Sequence, residues 1–241
     1  MNVDPAPSLV LPQTGQTGLR LDTALALLRQ AGQAEPAGEP GSAAYLQALI
    51  DQLVDLSSRD ALTGLANRRN FELALGREVD RVARSGESAL LLMVDIDHFK
   101  LYNDSLGHPQ GDLCLSQVAS LIQQLAKRPA DEVARIGGEE FVVLLPETDA
   151  IGAAHVAQHI VEGVAAMAIP HPASPVSRVA TVSIGVATVN KVPPRNFETT
   201  DIQPIFGSGD LILSADKALY MAKSVGRNRY HQADPLGLPR V

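Results

Sequence analysis

Two pairs of carboxylates stand where their surroundings could make them ligands. Asp95 and Asp97 close the apolar run ALLLMVDID; alternate residues of an extended chain share a side, so these acids face one way and Ile96 the other. Glu139 and Glu140 directly follow Gly137 and Gly138, where the backbone is free to approach a ligand closely. An all-oxygen set suits a hard divalent ion such as Mg2+, which keeps positions open for substrate phosphates. Each pair also has a plainer explanation, because acids at strand ends often cap turns and hairpin tips are often charged. Lys223 and Arg227 add two cations at a spacing of four, able to hold an anion together or to offset the dipole at a helix end. His98 and His108 lie in the same region and read as structural, since hard-metal sites favour oxygen over imidazole.

These groups can meet only if the chain between them folds back on itself, and the patterning supplies the elements. ALLLMVD (89–95) has the length of a buried strand, and residues 111–126 have helical period through Leu113, Val118, Leu121, Ile122 and Leu125. EVARI and EEFVVLL flank Gly137-Gly138, the turn chemistry of a two-residue β-hairpin in which both positions take positive φ. Residues 149–166 read as helix and SRVATVSIGVATV (177–189) as strand. The order from 89 to 189 is thus βαββαβ, an α+β ferredoxin-like arrangement with an antiparallel sheet and helices on one face. Helices at 67–84 and 210–224 flank it, and Asn228 to His231 suit a last short strand.

Composition narrows what such a fold could serve. The 241 residues are 45% hydrophobic and 20% charged, enough for one catalytic domain with an extension. Aromatics at 4% leave a mostly aliphatic core. A net charge of −7 without a dense basic stripe argues against a nucleic-acid polymer as partner, whereas small phosphates need only a few cations. Cys114 is the single cysteine, so no intramolecular disulfide can form and a buried thiol in a reducing compartment is expected. MNVDPAPSLVLPQTG lacks a basic segment followed by an apolar block, and no apolar run approaches the roughly 18 residues of a membrane span. A cytoplasmic protein without a membrane span is expected.

Residues 1–42 read as a flexible segment, rich in Pro, Gly and Gln at 1–19 and again in helix breakers at 31–42. LRLDTALALLRQ between them reads as a short amphipathic helix, too short to be stable alone in water, and therefore a docking element for the same protein or a partner. From 43 to 57, Leu46, Leu49, Leu53 and Leu56 form a helical seam widened by Ile50 and Val54. That helix either packs on its own domain or forms a parallel stalk between two subunits.

Together, five segments resemble the GGDEF family, in its order, across about residues 58–231. They are DALTGLANRR (60–69), DIDHFKLYNDSLGHPQGD (95–112), RIGGEEF (135–141), SIGVA (183–187) and ADKALYMAKSVGRN (215–228). The hairpin that names the family reads Gly137-Gly138-Glu139-Glu140-Phe141 here, the Glu variant of its third position. The resemblance implies a nucleotidyl-cyclase, palm-like fold and a diguanylate cyclase, which condenses two GTP into cyclic di-GMP and pyrophosphate. It implies metal ligation by Asp95, the Ile96 carbonyl, Glu139 and Glu140, with two Mg2+ or Mn2+ ions per site. Glu139 and Glu140 become the catalytic pair, Glu140 helping to activate the 3′-hydroxyl. Asn103 and Asp112 correspond to the guanine-reading pair, Phe99 and Lys100 to residues at the phosphates, and Lys223 and Arg227 to cations on the triphosphate. Chemistry agrees at Asp112, whose carboxylate can accept from guanine N1–H and N2–H2, donors that adenine does not present together. Asp97 is expected to make structural hydrogen bonds instead of ligating metal.

Each domain of this family holds one GTP, so the resemblance also implies a homodimer and favours the stalk reading of residues 43–57. Arg128-Pro129-Ala130-Asp131, five residues before Gly137, matches the family's RxxD motif and implies inhibition by bound cyclic di-GMP. Two departures stand out. No Lys or Arg occurs between Glu147 and Arg178, where relatives often carry a second product-binding arginine; Gln158 and His159 are weaker substitutes. The loop 190–209 is longer than the family pattern requires. The expected organisation is a flexible segment at 1–42, a stalk helix at 43–57, a catalytic domain at 58–231 and a tail at 232–241. The residues before the catalytic domain are too few for an ordinary sensory domain, so a regulatory protein docking on residues 1–57 is expected. The rival readings are a catalytically silent sensor of cyclic di-GMP, which would have lost hairpin acids or phosphate cations, and another palm-type nucleotidyl transferase, which would need no guanine-reading pair.

Overall fold

The computed structural model describes residues 21–85, 87–189 and 207–234. The termini and most of the loop 190–209 lie outside the described residues. Two compact units divide the chain, Met1–Ser57 and Ser58–Val241. In the first, helices α1 (Asp22–Gln30) and α2 (Ala43–Ser58) carry the buried side chains Leu28, Tyr45 and Leu49, while Leu27, Ile50 and Val54 are exposed. Gln52 Nε2 donates to the Ala34 carbonyl at 3.3 Å and fastens the connecting segment to α2.

The second unit runs β1 (Ala66–Asn67), α3 (Arg68–Ser85), β2 (Ala89–Ile96), α4 (Phe99–Leu106), α5 (His108–Leu125), β3 (Glu132–Arg135), β4 (Glu140–Pro146), α6 (Ala150–Ala166), β5 (Val182–Val189), α7 (Ser208–Ser224) and β6 (Arg229–Gln232). Its strands form one sheet in the order β1-β3-β4-β2-β5-β6. β2 pairs antiparallel with β4 and β5, and β3 antiparallel with β4, which is the ferredoxin-like βαββαβ core; β1 and β6 add parallel edges. β2 is buried at all eight positions because both its faces are covered. Leu90, Leu92, Val94 and Ile96 join the core formed with α4, α5 and α6, whereas Leu91 and Met93 join the one formed with α3 and α7. The flanking helices thus close the face that a two-layer ferredoxin-like core leaves open.

Four local expectations are corrected. The helix expected at 111–126 is α5, and it begins three residues earlier, preceded by a further helix, α4. Gly107 at φ +85° breaks the two apart, and Pro109 opens α5, where its missing N–H costs nothing. Leu113, assigned to the buried face, is exposed, and Leu115 is buried in its place, while Cys114 and Val118 are buried as expected. β5 starts at Val182, not at 177, because residues 178–180 pair locally: Pro170 bridges Val179, the His171 amide donates to the Arg178 carbonyl, and the Ala180 amide to Ile169. Finally, neither Gly137 nor Gly138 adopts positive φ. The Ile136 amide donates to the Glu140 carbonyl at 3.0 Å, so the loop holds three residues in place of two. The need for glycine at 137 is steric: a Cβ there would overlap the Glu140 carboxylate.

α7 lies unusually close to β5. A side chain at Gly185 would run into the Ala215 carbonyl and the Leu219 amide, so backbone rests on backbone at that point.

Candidate active site at the end of β2

β2 delivers Asp95 to the C-terminal end of this central strand, beside Glu140 on β4 and Ser183 on β5. The Lys223 ammonium, in the last turn of α7, lies 2.8 Å from Asp95 Oδ1. Burial pushes the Asp95 carboxyl up to about 6; Lys223 opposes this, and the nearby Glu139 and Asp97 charges add to it. Glu139 is tied to the strand end by its carbonyl, which accepts from the Ile96 amide at 3.3 Å. The Glu140 side chain sits against Gly137.

Asp97 is wholly buried and accepts from Thr181 Oγ1 and Ser183 Oγ, each at 2.7 Å, and from the Asn228 amide at 3.0 Å. Arg227 Nε stands 4.0 Å away. These partners use up both carboxylate oxygens, which agrees with the structural role expected for Asp97. They also pin the turn from α7 to β6, where Gly226, Arg227 and Asn228 take positive φ in succession. Two of these carry a Cβ and favour other conformations, so a buried acceptor is what holds them.

Next to the carboxylates lies a cleft of about 540 Å³ lined by Phe99, Lys100, Asn103, Asp112, Arg135 and Glu139, with Asp104, His108, Leu115 and Gly138 completing its wall. Asn103 Oδ1 is buried without a partner among the described residues, and Gly111 gives it room, since a Cβ there would overlap it. A buried acceptor without a partner calls for a donor, and Asn103 belongs to the wall of the cleft. The sequence reading assigned no role to Arg135. Its guanidinium donates to the Gly138 carbonyl at 2.7 Å from Nη2 and to Asp60 Oδ1 at 3.1 Å from Nη1, fixing the hairpin tip. Burial raises the Asp60 carboxyl, but the Thr63 hydroxyl and amide together with Arg135 outweigh it and hold the group below its usual range. A cation two residues ahead of the glycine pair was the available signal.

The structure therefore brings Phe99, Lys100, Asn103, Asp112 and Glu139 around one cleft, with Asp95 and Glu140 at the neighbouring strand ends and Lys223 reaching Asp95 from the last turn of α7. Among the described residues no three carboxylate, imidazole or thiol groups converge on one point. Asp95, Glu139 and Glu140 supply carboxylate oxygens, donors of the hard kind that Mg2+ or Mn2+ takes, but they are not gathered on one point. Arg128 and Asp131 lie elsewhere, in the turn between α5 and β3. The Asp131 carboxylate accepts from the Arg128 amide at 3.0 Å and from Nε at 2.9 Å, while Arg128 Nη2 donates to the Pro146 carbonyl at 3.1 Å and to Thr148 Oγ1 at 2.6 Å. This places the pair beside the far end of β4, roughly 20 Å of strand from Glu140. No helix among the described residues is long and apolar enough to cross a membrane.

The sequence model for the GGDEF domain of diguanylate cyclases matches residues 57–229. The probable diguanylate cyclase DgcC of Escherichia coli K12 is 36% identical over 174 residues, covering 72% of this chain and 43% of that protein, so the chain spans under half of that relative's length. Among solved structures, the coiled coil and GGDEF domain of DgcB from Caulobacter crescentus, in complex with c-di-GMP, superposes with a TM-score of 0.67 at 28% identity, covering 88% of this chain and 97% of that one. The diguanylate cyclase SiaD of Pseudomonas aeruginosa, in complex with its activator SiaC, gives 0.60 at 30% identity, covering 89% of this chain and 74% of that one. With the match running from the end of α2 to the start of β6, the chain belongs to the GGDEF diguanylate cyclase domain family.

Proposed function

We propose that this chain is a metal-dependent diguanylate cyclase that joins two GTP molecules into cyclic di-GMP, releasing two pyrophosphates, at the interface of two of its domains. The observation that carries this is the cleft itself, whose wall brings together Lys100, Asp112, Glu139 and Asn103, the last with a buried acceptor that has no partner among the described residues. Asn103 and Asp112 read the guanine edge, and Phe99 and Lys100 meet the phosphates. Lys223 and Arg227 neutralise the triphosphate as Lys223 exchanges Asp95 for substrate. Asp95, the Ile96 carbonyl, Glu139 and Glu140 would hold two Mg2+ or Mn2+ ions. Those ions, when bound, polarise the α-phosphate and favour loss of pyrophosphate. Glu140 takes the proton of the attacking 3′-hydroxyl in this reading, and the protein's remaining contribution is alignment of two nucleotides.

Since each domain presents one cleft, synthesis requires a homodimer, with α2 as the stalk that pairs the chains. Arg128 and Asp131 bind the product and slow the enzyme. The unit formed by α1 and α2 receives a regulatory protein, a role supported by the SiaD complex with its activator. The chain acts in the cytoplasm, where GTP is available. Incubation with GTP and Mg2+ followed by mass identification of the nucleotide product tests the activity; absence of cyclic di-GMP at every protein concentration refutes it. Deleting residues 1–42 should remove regulation and keep synthesis, and unchanged cellular behaviour of the truncated protein counts against docking there.

A further inference from the structure

We infer that His171, which lies in none of the five motif segments, is a positioning residue for the nucleotide: it holds the turn that aims the first amides of α4 into the cleft. The inference rests on the cyclase reading, which makes the ligand a triphosphate. His171 is completely buried in the connection between α6 and β5, and its own amide is fixed on the Arg178 carbonyl at 2.8 Å. Its Nε2 lies 3.2 Å from the carbonyl oxygen of His98. That same oxygen accepts from the Tyr102 amide at 3.1 Å, the first hydrogen bond of α4. Donation to it assigns the ring proton to Nε2, leaving Nδ1 as an acceptor that has no partner among the described residues.

The ring does a second thing. It meets Tyr102 edge-on, with centroids 5.1 Å apart, and Tyr102 stacks on Phe99 at 5.9 Å. Phe99 lines the cleft, so one buried imidazole braces both the start of α4 and the stack behind the cleft wall.

What needs bracing is the passage from Ile96, the last residue of β2, to Phe99, the first of α4. His98 makes that turn with φ +56°, a left-handed conformation disfavoured for a residue bearing a Cβ. No side chain caps α4 among the described residues. The amides of its first turn are therefore open to an anion, and the His98 backbone sets their direction. Without a donor on its carbonyl, His98 can relax toward ordinary φ and swing those amides off the phosphates.

The test compares His171→Phe, which keeps a ring against Tyr102 but loses the donor, with His171→Gln, which keeps a donor without the ring. Full-length protein with Mg2+ is titrated with GTP bearing a methylene bridge between the α and β phosphorus atoms, and steady-state rates are measured below each variant's melting temperature. The Phe variant should bind the analogue about tenfold more weakly and show a KM about tenfold higher, with kcat within about threefold of wild type, and the Gln variant should recover most of the loss. Wild-type affinity in a folded Phe variant, or equal impairment of both variants, overturns the proposal. If the Phe variant does not fold, the Gln variant decides: near-wild-type KM supports the donor role, and a tenfold rise overturns it. A wild-type protein that binds no analogue at all refutes the cyclase reading itself, a result separate from either variant's.

Discussion

Lys223 Nζ and Asp95 Oδ1 stand 2.8 Å apart, so the last turn of α7 and the end of β2 are joined by an ion pair, which the proposed function requires substrate and metal to separate. The pairing does not fully offset burial, which leaves the Asp95 carboxyl at about 6 against an ordinary 3.8. The folded state therefore holds this proton more tightly than the unfolded chain does. Its contribution to stability is complete below about pH 4 and is lost as pH rises through 6, a difference of up to about 3 kcal/mol. Metal-free Asp95→Asn should melt at a higher temperature than wild type at pH 8, with the gain shrinking at pH 5, and should make no cyclic di-GMP. Melting curves in a chelator at both pH values check this; a pH-independent difference contradicts it.

Glu139→Gln and Glu140→Gln should each abolish synthesis while leaving the melting temperature within a few degrees of wild type. Because Glu140 lies against Gly137, Gly137→Ala should also cut the rate, by about a hundredfold, through displacement of the carboxylate. Initial rates with Mg2+ decide it, and activity within a few fold of wild type in any of the three counts against the assignment.

Asp112→Ala should lower the preference for GTP over ATP by about tenfold or more, since guanine N1–H and N2–H2 would enter the cleft unpaired. Competition of each nucleotide against a fluorescent GTP analogue gives the ratio. An unchanged ratio removes Asp112 from guanine reading.

Arg128→Ala should abolish inhibition by added cyclic di-GMP and preserve the initial rate. The Arg128 side chain is about half exposed but the Asp131 carboxylate it bonds is buried, so the variant should lose some stability and rates are compared below its melting temperature. The closed Arg128–Asp131 pair means that product must compete with Asp131 for the guanidinium. Asp131→Asn should accordingly alter the inhibition constant as well. Progress curves for both variants supply the measurement, and inhibition equal to wild type in Arg128→Ala refutes the site.

Much of this was legible in the sequence where the signal is local. The apolar run of β2 and the order of elements around it follow from periodicity and turn chemistry, and the residues of the cleft from the resemblance to the GGDEF family. The misses are tertiary. Nothing local tells that Leu113 faces water while Leu115 is buried, because the neighbouring helices choose the buried face of α5. Gly137 looks like a turn glycine, yet its reason is a carboxylate three residues on. Arg135 and His171 act through backbone carbonyls, which have no signature in one-letter code, and the partner in each case is visible only when the chain has folded.

Gly185 carries no functional group, yet it governs how near α7 can come to the sheet. Any side chain there must lift the helix off β5 at Ala215 and Leu219. Two turns further along, about 12 Å away, the same rigid helix ends in Lys223. A mutational scan scored by nucleotide output would thus flag Gly185 beside the acids of the hairpin, although a probe for reactive or charged groups would pass over it. In this chain the reach of a cation is written in a strand position that has no side chain.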